Sequence, residues 1–127
     1  MASNTRDKKK LHQEHDEKRP HAHVRHVRIS SRKATLIIDQ VRGKGLDEAL
    51  AILKLTPHVA SPVLYKLISS AAANAVNNQE MDRDSLYVAE IYANPGPTLK
   101  RFKARSRGSA SPILRRTSHF SVVLDKR

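Results

Sequence analysis

Hydrophobic and polar positions alternate along this chain at two periods, one helical and one extended. In "SSRKATLIIDQVRGKG" (30–45), Ala34, Ile37, Ile38 and Val41 fall at i, i+3, i+4 and i+7, the spacing of one helical face. Ser30 or Ser31 can cap the start, and Gly43 can take the left-handed conformation that stops the helix. "LDEALAILKL" (46–55) repeats the stripe with Leu46, Ala49, Leu50 and Leu53, and sets Asp47 and Glu48 at the positive end of the helix dipole. Pro57 ends it, because the residue before a proline is disfavoured in helical geometry. A third helix opens at Ser61-Pro62, a capping serine with proline in the first turn. Leu64, Leu67, Ile68, Ala71, Ala72 and Ala75 form the longest stripe in the chain. The small residues of "SAAANA" (70–75) make that helix narrow enough for another backbone to approach closely. Asn77 and Asn78 are its natural terminators.

The second period is two. Residues 22–29, "AHVRHVRI", are β-branched and basic in partial alternation, and predict a short strand. Residues 85–93 and 117–124 predict two more. In the last, Ser118, Phe120, Val122 and Leu124 alternate with Thr117, His119, Ser121 and Val123. The order β-α-α-α-β-β predicts an α+β fold, a small antiparallel sheet packed on three helices. Between the last two strands lies "KRFKARSRGSASPILRR" (100–116), with seven basic residues and no acid. Its only tip-like signal is Ser106-Arg107-Gly108-Ser109. A long protruding β-hairpin over about 94–117 follows from that. Residues 1–19 mix both charges around one large aliphatic residue, Leu11, and predict a disordered or loosely attached tail ahead of a single domain at 20–127.

Charge changes the picture most. The chain of 127 residues holds 24 Lys and Arg against 12 Asp and Glu, net +12. Such a balance favours a polyanionic partner, chiefly nucleic acid. The excess is segregated, with nine basic residues and one acid in 95–127 alone. A two-stranded ribbon is marginal in water by itself, and this one repels itself. It is either a flexible basic loop or an arm held by an external polyanion. Basic side chains on both faces would suit an arm surrounded by phosphate, with binding driven by counterion release. Arginine outnumbers lysine there, and its planar fork suits phosphate and base stacking. Phe102 alone is too little for a stacking platform. Arg32 and Lys33 occupy the first helical turn, where the dipole disfavours cations. With Arg25 and Arg28 nearby they are either solvated surface charges or a phosphate site. Arg42 and Lys44 around Gly43 are a weaker candidate, since a glycine turn with two cations usually only stops a helix.

Other chemistry finds little support. Cysteine is absent, which excludes disulfides and thiolate catalysis. No apolar run nears the roughly 18 residues that span a membrane. His21, His23 and His26 sit close in sequence, but a strand sends the last two to opposite faces, so no metal is expected. There is no phosphate-binding glycine loop, nucleophile elbow or carboxylate pair, so no catalytic residue and no cofactor are expected.

Six segments, "VRISSRKA" (27–34), "QVRGKGLDEALAIL" (40–53), "SAAANAVNN" (70–78), "DSLYV" (84–88), "GPTLKR" (96–101) and "RRTSH" (115–119), occur in the order found in the bacterial large-subunit ribosomal protein twenty-two family. The chain resembles that family over about residues 22–126. The resemblance implies a non-enzymatic constituent of the cytoplasmic ribosome that binds 23S rRNA and aids subunit assembly. It also implies a small domain on the outer face of the subunit, near the exit of the nascent-chain tunnel. A hairpin would pass through the rRNA with its tip in the tunnel wall. Neighbouring large-subunit proteins and the nascent polypeptide are the further partners implied. By position, Lys100 and Arg101, with Lys103 beyond them, match the outgoing arm, and Arg115, Arg116 and His119 the returning one. Arg105, Arg107 and Gly108 match the basic tip, and with Ser106 and Ser109 they make up the tunnel-facing turn that the resemblance implies. Arg32 and Lys33 match the basic first turn; Arg25, Arg28, Arg42 and Lys44 complete the expected rRNA-binding set. The chain departs from many members at Ala104 and at Ser31, where they carry proline. It departs again at Ser109, where they carry arginine, and at Ser111-Pro112, where they carry a charged pair.

Overall fold

The computed structural model describes residues 19–127; all of the predicted tail except Arg19 lies outside the described residues. Five strands and three helices follow in the order β1 (His21–Val27), α1 (Ser31–Val41), α2 (Leu46–Leu55), α3 (Ser61–Gln79), β2 (Leu86–Pro95), β3 (Leu99–Ala104), β4 (Ala110–Arg115) and β5 (Ser118–Lys126). β5 is the central strand of a three-stranded antiparallel sheet, β1-β5-β2, while β3 and β4 form a separate two-stranded ribbon. The fold is α+β.

The period-two reading of the last strand predicts its centre: Ser118, Phe120, Val122 and Leu124 are all fully buried. The helices cover that face, α1 over β2 and α3 over β1 and β5, with α2 packed on α3. Each predicted stripe is the buried one: Ala34, Ile37, Ile38 and Val41 in α1, and Leu46, Ala49, Leu50 and Leu53 in α2. Ala71, Ala72 and Ala75 let α3 lie close to the sheet, and Asn74 donates to the β1 backbone at the His21 carbonyl (3.1 Å).

Helix ends differ from the sequence reading in detail. Ser30 is the N-cap of α1, but its hydroxyl makes no capping bond. Ser61 is the first helical residue of α3 rather than its cap, and its hydroxyl is buried without a partner. His58 replaces it: its Nδ1 accepts the Ala60 N–H (3.1 Å) and its carbonyl accepts the Ser61 N–H (3.0 Å). α3 also runs past Asn77 and Asn78 to Gln79, and Glu80 adopts the left-handed stop at φ 52°. The Glu80 and Met81 N–H groups then both turn back to the Ala75 carbonyl, from Met81 at 3.1 Å, satisfying one of the helix's last carbonyls. Gly43 is left-handed as predicted, at φ 77°.

β1 is shorter than expected at its end. Pairing with β5 slips between Val24 and Val27, and His26 stands there at φ 57°. This bulge turns the chain out of the sheet into the Arg28–Ser30 connection that leads to α1.

Candidate nucleic-acid interface

β3 and β4 pair in register from Leu99↔Arg115 to Ala104↔Ala110. Six residues per strand give a ladder of about 20 Å. Residues 100–110 are all exposed, Phe102 at 75%, so the ribbon contributes nothing to the core. Directly paired residues share a face. Arg101, Lys103 and Arg115 therefore lie on one face, whereas Lys100 shares the other with Phe102, Leu114 and Pro112. Both faces carry charge, but unevenly, with three cations of the ladder on one and Lys100 on the other.

The tip is a single turn over Ser106–Gly108, with Arg107 at φ 56° and Gly108 at φ 73°. A left-handed arginine is strained, and serines hold it. Ser109 Oγ donates to the Ser106 carbonyl (2.8 Å), Arg105 N–H donates to the Ser109 carbonyl (2.8 Å), and Arg105 Nε donates to Ser111 Oγ (3.1 Å). Ser109 and Ser111 thus tie the turn together.

The ribbon's root is bonded to the end of β1. Ser118 Oγ donates to the Ile29 carbonyl (2.7 Å), Arg28 reaches Thr117 Oγ1 (3.4 Å), and the His26 N–H donates to His119 Nδ1 (3.0 Å). The His119 ring also stacks edge-on to His26 and lies where a side chain on Gly96 would go, 3.1 Å from the Cβ position. His119 is thereby a structural strut at the root, its Nδ1 already committed to the backbone.

These tethers bring two distant basic segments together. Arg28, before α1, and Lys33, in its first turn, line one crevice with Arg115 and Arg116, at the end of β4. Arg25 lies in an adjoining hollow with His23, His26 and His119. Arg32 is exposed in the first turn of α1. Arg42 and Lys44 stand apart, at the far end of α1. Arg42 bonds Asp39 (2.8 Å) and the Ile91 carbonyl (3.1 Å), and Lys44 bonds Glu48 (2.8 Å).

The pairing of charge separates the two regions. Among the described residues the ion pairs Arg19–Glu90, Arg42–Asp39, Lys44–Glu48 and Arg83–Asp47 all belong to the helices and the main sheet. None of the cations at 25–33 or 100–116 meets a carboxylate of a described residue, and no acid occurs in the sequence between Glu90 and Asp125. Among the described residues Lys54 and Lys66 are unpaired too, each alone, as are the adjacent Lys126 and Arg127, the latter lying over the Tyr87 ring. Among the described residues, the ribbon and the start of α1 hold the largest concentrations of uncompensated charge.

Residues 22–125 match the sequence profile of the family described as Ribosomal protein L22p/L17e. The chain belongs to this family. It is 54% identical over 105 residues to the large ribosomal subunit protein uL22 of Lactobacillus delbrueckii subsp. bulgaricus, covering 83% of this chain and 90% of that protein. Identity is also 54% to the proteins of the same name from Pediococcus pentosaceus, over 80% of this chain and 86% of that one, and from Acetivibrio thermocellus, over 82% and 83%. Family membership makes the chain a structural protein of the ribosome.

Within the family's motifs the structure divides the labour. In "RRTSH", Arg115 and Arg116 are exposed, while Thr117 and Ser118 are buried tethers. Sequence reasoning placed none of Ser30, His58, Val59 or Leu114 in a binding site, though they border the same crevice as Arg115 and Arg116. Leu114 and Val59 carried a signal, being aliphatic side chains outside every predicted stripe.

Proposed function

We propose that this protein binds 23S rRNA as a constituent of the large subunit, aids its assembly, and sends the β3–β4 ribbon through the RNA so that its tip lines the nascent-chain tunnel. The observation that carries this reading is the concentration of cations without carboxylate partners along the ribbon and around the start of α1. Such charge is costly in isolation and favourable against phosphate. The ribbon supports it, since residues that pack on nothing in the protein are free to pack on a partner. The contacting set would be Arg25, Arg28, Arg32, Lys33, Lys100, Arg101, Lys103, Arg115 and Arg116, with Arg105–Ser109 at the tip. Arg42 and Lys44 would join only by exchanging their present carboxylates for phosphate.

A DNA-bending arm is the competing design. It needs an apolar or proline wedge at its end. Here Pro112 pairs with Phe102 part-way along the ribbon, and the end is Ser106-Arg107-Gly108.

Binding to a 23S rRNA fragment should weaken steeply with salt. With about six phosphates neutralised, log affinity falls against log salt with a slope of roughly −4 to −5. A slope near zero in filter-binding titrations would overturn the electrostatic account.

A further inference from the structure

The crevice at the ribbon's root is not lined by charge alone. It is an open hollow of about 520 Å³, inside the range of about 300–1,000 Å³ typical of small-ligand sites. Three segments border it: the approach to α1, the α2–α3 turn and the end of β4. Arg28, Lys33, Arg115 and Arg116 supply positive charge, and among the described residues no carboxylate lines it. Ile29, Val59 and Leu114 supply apolar surface, with Val59 76% and Leu114 46% exposed. Two polar groups are uncommitted. The Ser30 hydroxyl makes no capping bond. His58 spends Nδ1 on the Ala60 N–H, so its neutral ring carries the proton on Nε2 as a free donor.

We propose that this crevice takes one unstacked nucleotide of an RNA strand. Its phosphates meet Arg28, Lys33, Arg115 and Arg116, and its ribose and base lie on Val59, Leu114 and Ile29. The proposal rests on the RNA-binding reading and deepens it from backbone charge to a single nucleotide. A duplex backbone gives a protein phosphate and sugar to hold, and gains nothing from exposed aliphatic side chains set among cations. An apolar protein partner would gain nothing from four like charges around its contact. An unstacked nucleotide offers both chemistries at once, and single-stranded RNA is recognised through splayed bases, phosphates and arginine planes.

The test uses the full chain and two probes, adenosine 5′-monophosphate and inorganic phosphate, followed by amide and methyl NMR. The nucleotide should shift the Val59 and Leu114 methyls and the Ser30 amide, and bind about fivefold or more tightly than phosphate. Lys33→Gln should weaken both probes. Val59→Ser, at an exposed site outside the core, should weaken the nucleotide about threefold or more and leave phosphate unchanged. Equal affinity for the two probes would reduce the crevice to an anion site and overturn the proposal. So would nucleotide shifts spread evenly along the ribbon. A salt-titrated RNA duplex separates this inference from the broader one. Duplex binding with no nucleotide preference at the crevice sinks the crevice alone, whereas failure to bind any RNA sinks both.

Discussion

Replacing residues 101–113 with Asn-Gly tests whether the ribbon stands outside the folded unit. The cut preserves the Lys100↔Leu114 pair and closes it with the dipeptide favoured in two-residue hairpins. Residues 101–110 are exposed, and only Ser111 and Ile113 of the removed stretch are half-buried, so little surface that the core buries is lost. The replacement halves the connection 96–117 between β2 and β5. Halving a loop lowers its closure cost by about 0.6 kcal/mol. The shortened chain should therefore unfold at equal or slightly higher urea, more stable by up to about 0.6 kcal/mol. Its m-value should stay unchanged, because m follows the surface exposed on unfolding and the ribbon is already exposed. Urea titration by circular dichroism measures both quantities. A drop in m by about a tenth, or a loss of more than about 1 kcal/mol, would show that the ribbon packs on the body and would refute the reasoning.

Ser118→Ala should cost about 1–3 kcal/mol, since it leaves the Ile29 carbonyl without its donor in a buried setting; an unchanged urea midpoint would mean the tether carries no weight. Gly96→Ala should cost roughly 1 kcal/mol, because its Cβ would sit 3.1 Å from the His119 ring. Paired with His119→Ala the two losses should not add, which a double-mutant cycle reads directly. Lys100→Ala and Arg101→Ala should each lower the RNA salt slope by roughly 0.7–0.9 and leave thermal stability unchanged; Arg42→Ala should affect the slope less, as its guanidinium is already paired.

Much of the body was legible because its periodicities are local. The four-residue stripe of α1 and the alternation through Phe120, Val122 and Leu124 each state which side chains face inward. The ribbon was legible by contrast, as charge that nothing nearby neutralises. What the sequence concealed is contact between segments far apart in the chain. His58 caps α3 with its ring, a role usually given to the serine that follows. Ser118 reads as an odd polar residue in an apolar alternation until Ile29 arrives beside it. The crevice needs residues near 30, 58 and 115 together, and no single window holds them. The uneven faces of the ribbon depend on register, which the turn at Ser106–Gly108 sets.

The central claim is that the ribbon runs through RNA and its tip meets the nascent chain. Because the chain has no cysteine, one introduced thiol gives a unique attachment point for a photo-crosslinker. Ribosomes carrying the protein with Lys100→Cys, Ser109→Cys or Asp84→Cys would be stalled on a labelled nascent peptide and irradiated. The account predicts 23S rRNA crosslinks from position 100, nascent-chain crosslinks from position 109, and no nascent-chain crosslinks from position 84. A tip that crosslinks to neither RNA nor peptide, while position 84 does, would contradict it.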